Sequence, residues 1–103
     1  MAWLLLLLAG LLEIVWAYTM KLSEGFSRPI ASVVTLVAMI ASFSLLSISM
    51  RSLPLGTAYT VWTGIGAIGA FGVGVMVLGE PLTMTRGAAA ALIVSGLVLM
   101  KLA

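Results

Sequence analysis

Ala9-Gly10-Leu11-Leu12-Glu13-Ile14-Val15-Trp16-Ala17 lies at the middle of an apolar run from Ala2 to Met20 whose one charge is Glu13. A bilayer-spanning helix needs about 20 apolar residues, and this run has that length. A carboxylate near the bilayer centre costs about 2.5–3.5 kcal/mol on insertion scales. The next charge, Lys21, lies about two turns further on at the membrane edge, so the first helix offers Glu13 no local partner. Function is to be sought around this carboxylate.

Composition agrees on the class. Of 103 residues, 63% are hydrophobic and 8% charged, against roughly 25% charged in a soluble domain. A water-soluble core this small has no room for so much apolar surface. The expectation is one all-α membrane domain over residues 1–103 with little mass outside the bilayer. The chain has no cysteine and no histidine, which removes disulfide frameworks, thiol chemistry and the usual zinc sites. Nucleotide loops and nucleophile–base arrangements are also missing, so neither an enzyme nor a cofactor nor a nucleic-acid partner is expected. Met1-Ala2 lacks the basic residues of a secretory signal, and the first segment is expected to be a retained helix.

Charges and turn residues cut the chain into four spans, about 2–20, 30–50, 55–78 and 84–101. Ser23-Glu24-Gly25-Phe26-Ser27-Arg28-Pro29 forms the first turn, Arg51-Ser52-Leu53-Pro54 the second, and Gly79-Glu80-Pro81 breaks the third span. Between Arg86 and Lys101 the fourth covers only about 21 Å at about 1.5 Å per residue. It crosses a core of roughly 30 Å only if those charges snorkel or the helix begins nearer Leu82.

The loop charges bear on orientation. An even number of spans puts Arg51 and Lys101 on one side and Lys21, Arg28 and Arg86 on the other. Orientation follows an excess of Lys and Arg in cytoplasmic loops. Two against three, with a terminal amine to level the count, is close to no bias. Insertion in both orientations is one reading; a single deciding charge is the other.

Helical periodicity then sorts the faces. Leu6, Ala9, Gly10, Glu13, Trp16, Ala17 and Met20 fall within about 60° of the Glu13 direction. Leu4, Leu7, Leu8, Leu11, Val15 and Tyr18 take the opposite side, suited to lipid. Small residues beside the carboxylate let other helices approach. Trp16, well inside the span, can present an aromatic wall to a cation rather than an interfacial anchor. On the third span Leu55, Ala58, Tyr59, Trp62, Ile65, Gly66 and Gly69 share a face. Glycines at 64, 66, 69, 72 and 74 follow, which allow either plain close packing or a bend near Gly64-Ile65-Gly66.

The second span carries Thr35, Met39, Ser42, Leu46 and Ser49 on one face. Ser42 can donate to a carboxylate and is the candidate to orient Glu13, although membrane serines often bond their own helix. Met39 and Phe43 form an adaptable apolar rim. The fourth span, with Ala88 to Ala91, Ser95 and Gly96, is rich in small residues and suited to packing between protomers.

Taken together, the Glu13 helix with Trp16-Ala17, the run Lys21-Leu22-Ser23-Glu24-Gly25-Phe26, Gly56-Thr57-Ala58-Tyr59 and Trp62-Thr63-Gly64-Ile65-Gly66-Ala67 resemble the small multidrug resistance family along the whole chain. Trp16, Ser42 and the run from Trp62 resemble its guanidinium-exporter branch; the polyaromatic-drug branch typically has glycine at the place of Trp16 and tyrosine near Met39. One departure is Pro29, where the family usually places its proline at the position of Ala31. The fourth helix is also leaner than usual.

The resemblance implies a proton-coupled antiporter of the bacterial inner membrane, working as an antiparallel homodimer with one shared site. Both Glu13 copies would face a common cavity, with Trp16, Ser42, Tyr59 and Trp62 as the bonding and stacking shell and Gly64 and Gly66 as the hinge of helix three. The chemistry fits. Desolvation and a second carboxylate both disfavour the charged form, so proton and cation compete for the same oxygens. Guanidinium suits them because it is planar, offers paired N–H donors and stacks on aromatic faces. A polyspecific quaternary-ammonium exporter uses the same fold and glutamate, and a weaker Met39–Phe43 rim would favour it. A proton-carrying rotor subunit needs only two helices. A non-transporting assembly partner, with Glu13 paired to another protein's basic residue, is the third rival.

Overall fold

A computed structural model describes residues 1–102; Ala103, the last residue of the expected domain, lies outside them. Four helices follow in order: α1 (Ala2–Leu22), α2 (Pro29–Ser49), α3 (Leu55–Met76) and α4 (Met84–Leu102). Each is long and apolar enough to cross a membrane. At about 1.5 Å per residue, the 21 residues of α1 reach about 32 Å, which matches the hydrocarbon core. Glu13 stands near its midpoint.

Local chemistry sets the helix ends. After α1 the buried Ser23 hydroxyl donates to Met20 O at 2.7 Å and accepts from the Phe26 N–H at 3.0 Å. That loop closes through left-handed backbone at Glu24, Gly25 and Phe26, φ 50°, 73° and 66°. Exposed Arg28 and Glu24 pair across it at 3.2 Å. Pro29 then opens α2, a position where its missing N–H has no helical partner to lose. Pro54, extended, precedes α3. α3 stops at Met76, short of Leu78, because Gly79 turns the chain back with φ 71°.

α1 is the centre of the packing, against α2 on one side and α3 on the other. Leu6, Ala9, Leu46, Ala58, Val61 and Trp62 make the buried core. Missing side chains set the α1–α3 distance. A Cβ on Gly10 would come within 2.6 Å of Ile65 Cγ2, and one on Gly69 would strike Ile14. Thr35, Ser42 and Ser49 of α2 are fully buried towards its neighbours, and Thr35 Oγ1 lies 2.7 Å from the Thr19 hydroxyl and from Ala31 O. Leu4, Leu7, Leu8, Leu11 and Val15 are exposed, on the side expected to face lipid. Tyr18, expected with them, is instead half-buried and lines a cleft with α3, and Met20, expected inward, is exposed. No described residue of α4 is buried, and its backbone neighbours only α3. Its end is tied back by the Lys101 ammonium, 4.5 Å from the Trp3 ring centroid.

Candidate functional site

Glu13 projects from α1 onto the bare backbone of α3 at Gly66: a Cβ added there would fall on the carboxylate itself. Gly66 is buried, and the carboxylate lies where no other residue type leaves space for it. Glu13 Oε1 is buried and accepts no hydrogen bond among the described residues; the indole Nε1 of Trp16, one turn on, is buried and donates none. An unmet buried polar atom costs about 1–3 kcal/mol, more if charged. Two of them, one acceptor and one donor, stand on the same face of α1.

The aromatic side chains form a connected wall across three helices. Phe43 of α2 meets Trp16 edge-on, centroids 6.2 Å apart at 72°, and meets Trp62 of α3 at 5.7 Å and 64°. Tyr59 leans on the same Trp62 ring at 5.5 Å. These are the separations and tilts that aromatic quadrupoles favour. Trp62 is buried, whereas Phe43 and Tyr59 are 45% and 53% exposed, so the wall is open on one side. Met39, one turn before Phe43 on α2, is partly buried beside it.

Ser42 has a different role from the one expected of it towards Glu13. Its hydroxyl donates to Ala9 O of α1 at 2.7 Å and accepts from Trp62 Nε1 at 3.0 Å. A hydroxyl has one proton to give, and here it holds α1 to α2 while fixing the Trp62 ring. The reason is spatial: Ala9 precedes Glu13 by one turn, and Ser42 sits level with Ala9.

The remaining expected residues are placed as follows. α3 is helical without a break through Gly64 and Gly66, and Gly64 accommodates Leu97 of α4. Both glycines make close contacts, Gly64 with Leu97 and Gly66 with Glu13. Ser95 and Gly96 are exposed, and the Ser95 hydroxyl bonds its own helix at Ala91 O, 2.8 Å. No group of three or more acidic residues that could hold a metal ion occurs among the described residues. Missed from sequence were Gly66 as the seat of the carboxylate and Ala9 O as the acceptor of Ser42. The signal for the first was present, since Glu13 and Gly66 lie on the two faces that periodicity brings together.

Known proteins resemble the chain over its full length. A sequence model of the family described as Small Multidrug Resistance protein matches residues 1–94. A guanidinium exporter of Yersinia pseudotuberculosis is 52% identical over 103 residues, covering 100% of this chain and 99% of that protein. One of Escherichia coli (strain K12) is 54% identical over 102 residues, 99% of this chain and 97% of that protein. A guanidinium exporter of Citrobacter freundii is 51% identical, with the same coverage.

Proposed function

The chain belongs to the small multidrug resistance family as a multi-pass inner-membrane protein, and from that premise we propose that it exports guanidinium in exchange for protons. The observation that carries this reading is the pair of unmet buried atoms, Glu13 Oε1 and Trp16 Nε1. Among the described residues Glu13 Oε1 has no partner, which leaves it free for the cargo: a proton in one half of the cycle and a cation in the other. Guanidinium presents two parallel N–H groups to a carboxylate and a flat face to an aromatic ring. Phe43, Trp16 and Trp62 supply such a wall, and Trp16 stands one turn on from Glu13.

The working unit is an antiparallel homodimer in which both Glu13 copies face one cavity. Two features support it: the near balance of basic residues on the two sides, and α4, none of whose described residues is fully covered within its own chain. Ser95 and Gly96 lie on that helix and are suited to close protomer packing. Like charges that share a cavity disfavour double ionisation. One proton or one cation therefore relieves the pair, and loading from one side excludes the other. Gly64 and Gly66 give α3 the freedom to bend as the cavity switches between the two membrane faces. Tyr59 and Trp62 line the path, and Met39 and Phe43 set how large a cation enters.

A second reading, export of quaternary ammonium cations, draws on the half-exposed Phe43 and Tyr59, which leave one side of the wall open to bulkier groups. Transport in vesicles of purified protein separates the two. Guanidinium exchange that Glu13→Gln abolishes supports the first reading; exchange that survives Glu13→Gln sinks it.

A further inference from the structure

Beyond Glu13 and Gly66, α1 and α3 continue to face each other through small residues, Ala17 against Ala67 and Ala70. These floor a cleft of about 400 Å³ that opens past Tyr18 and Lys21 to Glu80. Ala17 lies one turn on from Glu13 and Ala70 one turn on from Gly66. The cleft therefore begins where the Glu13 site ends.

Glu80 is held there by backbone. The N–H groups of Val77 and Leu78 both donate to Val73 O, at 2.8 and 3.3 Å. Gly79 then turns the chain through φ 71°, and the Glu80 N–H donates to Gly74 O at 2.9 Å. This folds the Glu80 carboxylate against Gly74, where an added Cβ would strike it. The placement opposes helix stability, because the C-terminal end of a helix already carries partial negative charge. Nor is it neutralised by an ion pair: among the described residues the one salt bridge is Arg28–Glu24. Carboxylate and helix end add, and they make the mouth of the cleft attractive to a cation. Lys21 lines the same cleft and keeps that attraction weak, which suits transit rather than storage. Tyr18 and Phe71 offer ring surface on the way in.

We propose that Glu80 is a second, transient cation site, which receives guanidinium at the mouth of the α1–α3 cleft and passes it to Glu13. This rests on guanidinium being the cargo. The test is guanidinium uptake into proteoliposomes by wild type, Glu80→Gln, Glu80→Asp and Gly74→Ala at low and high salt. At low salt Glu80→Gln raises KM about threefold to fivefold and keeps most of the maximal rate, the scale of an exposed charge interaction. Added salt shrinks the difference by screening, which a loss of folding would not do. Glu80→Asp recovers part of the affinity. Gly74→Ala keeps the charge but displaces the carboxylate, so it raises KM like Glu80→Gln, and the double variant is no worse than either. An unchanged KM in Glu80→Gln, or a defect indifferent to salt, overturns the proposal while leaving wild-type guanidinium transport intact. A wild type silent towards guanidinium overturns it together with the cargo assignment.

Discussion

The carboxylate of Glu13 and the backbone of Gly66 occupy adjoining space with nothing between them: a methyl group on Gly66 and the Glu13 side chain cannot both be accommodated. Two helices thus meet at the one intramembrane charge of α1, and its position depends on a side chain that is absent.

Gly66→Ala follows directly. Alanine favours the helix by about 1 kcal/mol over glycine, so α3 should fold at least as readily. The displaced carboxylate, however, should lower guanidinium transport by about a hundredfold, the scale of a misplacement of about 1 Å in a functional site. Circular dichroism and uptake measured on the same preparation separate the two effects.

Ser42→Ala removes the bond to Ala9 O and orphans the buried Trp62 N–H. The expected loss is about 1–3 kcal/mol of stability, the cost of an unmet buried donor. Ser49 is equally buried but, among the described residues, its hydroxyl bonds its own helix at Leu46 O, 2.7 Å. Ser49→Ala should therefore cost less than Ser42→Ala in a detergent unfolding titration, and only Ser42→Ala should alter tryptophan emission.

Phe43→Ala breaks both edge contacts that join Trp16 to Trp62. Such contacts contribute about 0.5–1.5 kcal/mol each. Guanidinium affinity should fall about tenfold, while bulky tetraalkylammonium ions should gain entry as the wall opens. Competition uptake with a series of ammonium sizes checks the reversal.

Much of this was legible in the sequence. The four helices followed from charge spacing and Pro and Gly breaks, and the lipid face of α1 from its leucines, because hydrophobic periodicity carries both. The inward face of α2 was also readable, with Thr35, Ser42, Leu46 and Ser49 buried and Met39 partly so. Contacts that need a third dimension were not. Residue type told that the Ser42 hydroxyl would bond something; whether Glu13 or Ala9 O depended on the vertical offset of α1 against α2, which no periodicity encodes. Likewise the edge contacts by which Phe43 joins Trp16 to Trp62 were not readable, because a rim ring with and without such a bridge has the same sequence signature. Gly66 read as a hinge because glycine permits bending and close approach alike.

Proton and cation competing for Glu13 fixes the sign of a pH effect. A falling pH protonates the carboxylate and removes the charge that holds guanidinium. Apparent affinity should fall, by up to about tenfold per pH unit once the site is mostly protonated, and recover fully as pH rises. Equilibrium binding of guanidinium to detergent-solubilised protein across pH measures this directly. Glu13→Asp should keep the dependence, and Glu13→Gln should lose both binding and dependence.

The measurement that bears most directly on Glu13 as the coupling residue is transport current from purified protein in proteoliposomes. It compares guanidinium with tetraalkylammonium and aromatic cations, for wild type and Glu13→Gln. The expected result is a guanidinium current in wild type, abolished by Glu13→Gln, with weak currents from the bulkier cations. A guanidinium current that persists in Glu13→Gln would contradict it. So would silence towards guanidinium beside strong currents with aromatic cations.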